Sequence, residues 1–230
     1  TGTLVSPSSG QVTVISTVSP TDFCLICKNI YSISNEVSVL TLISSFIHDL
    51  IVSNKERDVI NNIVTNEDYK SSGIGQNNLT GKEISLASQS TKILEDINLK
   101  FLKEKILSAF NIYKNEIMEF RNTDFNLESS WITKTKTNQS GNFHMHTNSM
   151  FSGIYYYQIS DSNLCFENYN NSSWFVEPKK YNIYNSRQIL ITPKNNDVVF
   201  FPSEVYHKIG TNNSTNDRYS IAFNLSPNKL

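Results

Sequence analysis

The 230-residue chain carries 20 basic and 21 acidic residues, a formal net charge of −1. A balance this close leaves no broad basic face for nucleic acid and none for an anionic membrane surface. With 13 phenylalanines and 11 tyrosines against 8 glycines and 6 prolines, the composition excludes a disordered chain and suits a β-rich interior; the length fits one domain, 1–230, with a substantial core.

In chain order, Gln11-Val12-Thr13-Val14-Ile15-Ser16 alternates weakly and predicts a strand, and Pro20-Thr21-Asp22 a turn or helix start. The three cysteines, Cys24, Cys27 and Cys165, are odd in number and do not make a disulfide framework. Cys24 and Cys27 have the spacing of a redox or zinc pair, but no second pair follows and the residues between are apolar, so they read as small buried hydrophobes. Residues 35–55 repeat Val37, Leu40, Leu42, Ile43, Phe46, Ile47 and Leu50 at helical spacing, with His48 as an ordinary helix histidine. The polar stretch 71–81 reads as a loop; its Gly73-Ile74-Gly75 lacks the third glycine of a dinucleotide fingerprint. Residues 91–120 carry the strongest helical stripe in the chain, Ile93, Leu94, Ile97, Phe101, Leu102, Ile106, Phe110, Tyr113 and Ile117, which predicts packing against a sheet. No apolar run approaches the roughly 20 residues of a membrane span, so a soluble, intracellular protein is expected.

After residue 124 the period changes from the helical value to two. Short apolar runs at 130–135, 144–146, 152–159, 163–167, 188–192, 197–201, 206–209 and 218–224 predict eight strands in succession. The fold class that follows is α+β, mostly β: a double-stranded β-helix (jelly roll) over 123–230, flanked by N-terminal helices in a strand-and-helix support over 1–122.

Three of the four histidines sit in two of these stretches, Asn142-Phe143-His144-Met145-His146-Thr147-Asn148 and Ser203-Glu204-Val205-Tyr206-His207. In an extended strand His144 and His146 project to one side and Met145 to the other. A lone histidine is more often surface or satisfied core, but two on one face with a third at a strand end point to a metal, since neutral imidazole is the commonest nitrogen ligand.

At these residues the sequence resembles the 2-oxoglutarate- and Fe(II)-dependent oxygenases, within them a group often carried by marine bacteria and phages. The resemblance runs through Trp131, the stretch from Asn142 to Tyr156, the stretch from Pro193 to Ser203, His207, and Arg218-Tyr219-Ser220-Ile221-Ala222-Phe223-Asn224, with a weaker part around Asn78-Leu79-Thr80-Gly81. It implies Fe(II) as cofactor, 2-oxoglutarate as co-substrate, dioxygen and a further substrate, and a cytoplasmic location in a bacterial or phage-infected cell. The family's His-x-Asp/Glu slot is filled here by His144-Met145-His146, so the usual carboxylate is absent. Three completions stay open: the triad His144, His146 and His207, which the pattern favours; a carboxylate from Asp197 or Glu204; or Asn148.

The resemblance further implies that Arg218 anchors the distal carboxylate of 2-oxoglutarate through its planar fork. Ser220, two residues along, shares its face, and Tyr155 or Tyr157 is a further contact, against an alternative of aromatic core packing. The expected reaction is hydroxylation of an unidentified substrate with release of succinate and CO2. Two other classes compete: a non-catalytic jelly-roll binding or viral structural protein, which would give no succinate, and a cupin-like metalloenzyme that does not use 2-oxoglutarate. Nucleic acid is not indicated as a partner, no membrane is expected, and a homodimer is as compatible with such a fold as a monomer.

Overall fold

The computed structural model describes residues 11–15, 45–71, 84–120, 123–159, 161–168, 177–181 and 185–228. The Cys24 and Cys27 pair, residues 35–44 of the 35–55 segment, residues 72–81 of the 71–81 segment, and Trp174, Phe175 and Tyr184 lie outside these residues.

Eleven strands are described: β1 (Gln11–Ile15), β2 (Phe46–Asp49), β3 (Tyr69–Ser71), β4 (Leu86–Ser88), β5 (Phe125–Thr135), β6 (Phe151–Gln158), β7 (Leu164–Glu167), β8 (Gln188–Thr192), β9 (Asp197–Pro202), β10 (His207–Ile209) and β11 (Arg218–Pro227). Helices α1 (Asn54–Asn66) and α2 (Lys100–Ile112) precede the long strands. A seven-stranded sheet runs β2-β9-β6-β11-β5-β4-β3 and a four-stranded sheet β1-β8-β7-β10. Strands from the first 122 residues therefore extend both sheets. Pairing is antiparallel except that β1 lies parallel to β8.

Alternation along the large sheet separates two cores. Odd residues of β6 and β11, Phe151, Tyr155, Tyr157, Tyr219, Ile221, Phe223 and Leu225, pack with Phe200 of β9 against the helices. Even residues turn to the small sheet, where Ile154, Tyr156 and Ala222 meet Leu164, Phe166 and Ile191 together with Val199 and Phe201. Since β6 is buried on both faces, its apolar residues run on rather than alternate, with Ser152 and the terminal Gln158 as polar exceptions.

The helices follow from local chemistry. Ser53 caps α1: Glu56 N–H donates to Ser53 Oγ at 3.4 Å and Ser53 N–H to Glu56 Oε2 at 2.7 Å, a reciprocal pair that fixes the start of the helix. Arg57 one residue on ties α1 to the sheet, donating to Asn196 Oδ1 at 2.8 Å with its guanidinium 4.8 Å over the Tyr157 ring. Leu102, Ile106, Ala109 and Phe110 form the buried stripe of α2.

Two expectations are corrected. Residues 46–49 are a strand, with His48 in it rather than in a helix, because pairing with β9 buries Phe46 on one face and seats Ile47 against the other core. The 91–120 stripe is not one helix. Asp96 is extended and its carboxylate accepts the Asn98 N–H at 2.8 Å, which breaks the start into two 3-10 turns, Ile93–Glu95 and Ile97–Leu99; a π turn, Tyr113–Ile117, closes it. Cys165 is buried and unbridged, with its thiol pushed up to about 11 by burial, as a small hydrophobe would be. No described helix is long and apolar enough to cross a membrane.

Candidate metal centre

Residues 141–146 run beside 203–209 and are pinned to them by backbone hydrogen bonds: Gly141 N–H to Ile209 O at 2.9 Å, a reciprocal pair between His144 and His207 at 3.0 and 2.9 Å, and His146 N–H to Ser203 O at 2.8 Å. The predicted strand at 144–146 is thus a single bridge at His144, yet its pairing still turns His144 and His146 to His207. Their ring centroids lie 5.1, 4.4 and 5.2 Å apart, and one nitrogen from each falls within 4.8 Å of the others.

Each ring is oriented through its Nδ1. His144 Nδ1 lies 2.9 Å from Asn142 O and His207 Nδ1 2.8 Å from Val205 O. His146 Nδ1 lies 2.9 Å from Ser152 Oγ and 2.7 Å from Asn224 Oδ1. A carbonyl oxygen only accepts, so these contacts place hydrogen on Nδ1 and leave the Nε2 lone pair for a ligand. Burial, and then His144 beside it, pushes His207 down to about 3; burial also lowers His146. Phe201, 4.6 Å from the His207 ring, and Trp131, 5.6 Å from His146, form apolar walls. Neutral, oriented imidazoles are the state a divalent metal requires.

Among the described residues no carboxylate joins the three histidines. Glu204 and Asn148 are exposed. Asp197, at the start of β9, accepts the Lys194 N–H at 2.7 Å, and burial raises its carboxyl.

Arg218 lies between the sheets at 0% exposure. Its Nη1 donates to Ser220 Oγ at 3.2 Å, while Nε and Nη2, the two nitrogens of one edge of the fork, have no partner. Its guanidinium stands 5.0 Å from the Tyr156 ring, whose hydroxyl is buried without a hydrogen bond. Burial pushes Arg218 down and Tyr156 up to about 12. An unpaired guanidinium in an apolar interior is costly unless an anion meets it. The free edge matches the two oxygens of a carboxylate.

Tyr155 and Tyr157 do not contribute to this pocket. They lie on the odd face of β6 against the helices, where their hydroxyls donate to Asn196 and Asn61 at 3.1 Å each. Tyr156, opposite Ser220 in the ladder, takes the place expected of them. Sequence reasoning also passed over Ser152, Ser203 and Asn224, the polar groups beneath His146. The available signal was parity, because Arg218, Ser220 and Asn224 share one face of β11.

Residues 129–224 match the family model described as "Putative 2OG-Fe(II) oxygenase". The match spans the segment that holds all three histidines and Arg218. No curated protein matches it by sequence. Among solved structures, the chain resembles an oxidoreductase of the 2OG-Fe(II) oxygenase family from Burkholderia pseudomallei at TM-score 0.59 and 9% identity, over 93% of each chain. It also resembles HygX from Streptomyces hygroscopicus, solved with nickel, 2-oxoglutarate and hygromycin B, at TM-score 0.55 and 10% identity over 82% of this chain and 84% of HygX. A Pseudomonas putida prolyl-4-hydroxylase aligns at TM-score 0.51 and 11% identity over 80% of this chain and 94% of its own. At such identities the likeness is one of fold, and it agrees with the mostly β jelly roll expected from the sequence.

Proposed function

We propose that this protein is an Fe(II)- and 2-oxoglutarate-dependent dioxygenase that hydroxylates its substrate, with His144, His146 and His207 holding the metal and Arg218 and Ser220 anchoring the co-substrate. The observation that carries this reading is the buried Arg218 with its Nε–Nη2 edge unpartnered, a site for a carboxylate within the same sheet sandwich as three converging imidazoles. When bound, the pair supplies oxygen activation: 2-oxoglutarate loses CO2 to become succinate, and one oxygen atom enters a C–H bond.

The chain's own residues bind, orient and exclude water. The histidines present three Nε2 lone pairs on one side, leaving positions for co-substrate and dioxygen. A neutral triad leaves the metal's charge to be balanced by the dianionic co-substrate. Arg218 and Ser220 would take the far carboxylate, and the Tyr156 hydroxyl beside them would donate to it. Phe166, Phe201 and Trp131 keep the surroundings apolar.

The test is oxygen-dependent turnover of 2-oxoglutarate with succinate as readout. Wild-type protein is expected to form succinate, slowly without substrate; His207→Ala abolishes it, and Arg218→Ala raises the 2-oxoglutarate KM on the order of 100-fold or more. No succinate from iron-loaded wild type would leave a non-catalytic module. A second reading is favoured by the lack of a carboxylate ligand among the described residues: a cupin-like metalloenzyme without 2-oxoglutarate, in which Arg218→Ala would leave metal-dependent activity intact.

A further inference from the structure

We infer that Asn224, assisted by Ser152, is the positioning residue that makes His146 a metal ligand. The inference rests on the metal site proposed above and extends it to how the third ligand is made available.

The three imidazoles are not held alike. His144 and His207 each face a main-chain carbonyl two residues back, Asn142 O and Val205 O, so backbone geometry alone sets their tautomers. His146 has no such carbonyl. Among the described residues its Nδ1 meets only side chains, Asn224 Oδ1 at 2.7 Å and Ser152 Oγ at 2.9 Å. Its tautomer is therefore written in the sequence at two positions far from it along the chain.

The contact is built rather than incidental. Ser152 and Ser203 are fully buried; Ser203 Oγ links Ser149 Oγ at 2.9 Å to Ser152 Oγ at 2.8 Å. Ser152 Oγ donates to Asn224 Oδ1 at 2.9 Å, and Asn224 Nδ2 donates to Ser129 Oγ at 3.1 Å. The amide is held from both ends, its oxygen towards the imidazole. An oxygen without hydrogen requires Nδ1–H on His146, and that leaves the lone pair on Nε2. Imidazole free in water prefers the opposite tautomer, which has none to offer there.

The experiment reads tautomers in metal-free protein by long-range 1H–15N correlation at a pH where the rings are neutral, and Co(II) affinity by anaerobic titration. In wild type all three histidines are expected as Nδ1–H. In Asn224→Leu, His146 alone shifts towards Nε2–H and Co(II) affinity falls on the order of 10- to 100-fold; Asn224→Asp, which keeps an acceptor, restores both. The His144 and His207 signals in the same spectra report an intact site, and Asn224→Ser, too short to reach, serves where the leucine variant does not fold. His146 found as Nε2–H in wild type, or a tautomer and Co(II) affinity unmoved by Asn224→Leu and Asn224→Ser, overturns the inference. A tautomer failure counts against Asn224 alone, whereas a wild type that takes up no Co(II) sinks the triad and this inference with it.

Discussion

Arg218 is a residue kept at the expense of the fold that holds it. Its guanidinium is fully buried with two unpartnered nitrogens, and replacing a buried charge by an apolar side chain of similar length often stabilises a protein by about 1–4 kcal/mol. Arg218→Met is accordingly expected to raise the urea midpoint of the protein without co-substrate while removing the thermal stabilisation that added 2-oxoglutarate gives the wild type. A midpoint lowered by the substitution would show that Arg218 already has its partner. His207 has a second consequence. Its pKa falls from 6.5 to about 3 on folding, so between these values the unfolded chain takes a proton that the folded chain refuses. Stability of the metal-free protein is then lost as pH drops from about 6.5 towards 3, at up to about 1.4 kcal/mol per pH unit from this group. Denaturation across that range should show a shallower slope in His207→Gln. At this scale the convergence of the histidines was legible because a residue type that occurs four times in the chain recurs at fixed offsets, whereas Arg218 was singled out only through the family resemblance. The tyrosines were not: with both faces of β6 buried, nothing in Tyr155-Tyr156-Tyr157 says which phenol faces the anchor.

Elements show where periodicity suffices and where it fails. Seven of the eight runs predicted after residue 124 are strands, because a strand with two apolar neighbours leaves a compact signature bounded by polar turns. The segments before it misled for physical reasons. An apolar run such as Phe46-Ile47 fits a helix face as well as a two-sided strand, and the capping box that separates β2 from α1, Ser53 with Glu56, is the local signal that resolves it. Ser53→Ala should destabilise α1 by about 1 kcal/mol, measurable by urea denaturation. Gly153 is a sharper case. A Cβ there would stand 2.3 Å from Phe223 Cζ and 3.2 Å from Phe200 Cδ1, so Gly153→Ala forces the aromatic layer apart and is expected to cost about 1–3 kcal/mol, against little change for a surface glycine.

At the scale of the molecule, the large sheet divides labour between its faces. One carries the aromatic and helical packing of Phe110, Tyr113, Phe151, Phe200 and Phe223; the other carries His146, Arg218 and the small sheet. Stability and chemistry therefore vary semi-independently, and substitutions on the helix side are expected to lower the melting temperature while leaving the KM for 2-oxoglutarate unchanged. The burial of the triad is graded as well: His144 is exposed, His146 intermediate and His207 nearly inaccessible at 3%. A bound ion would thus keep one flank turned to solvent, and stripping it with EDTA should require no unfolding. If the three histidines hold an ion, His144 would be the ligand facing solvent and His207 the one enclosed by the fold.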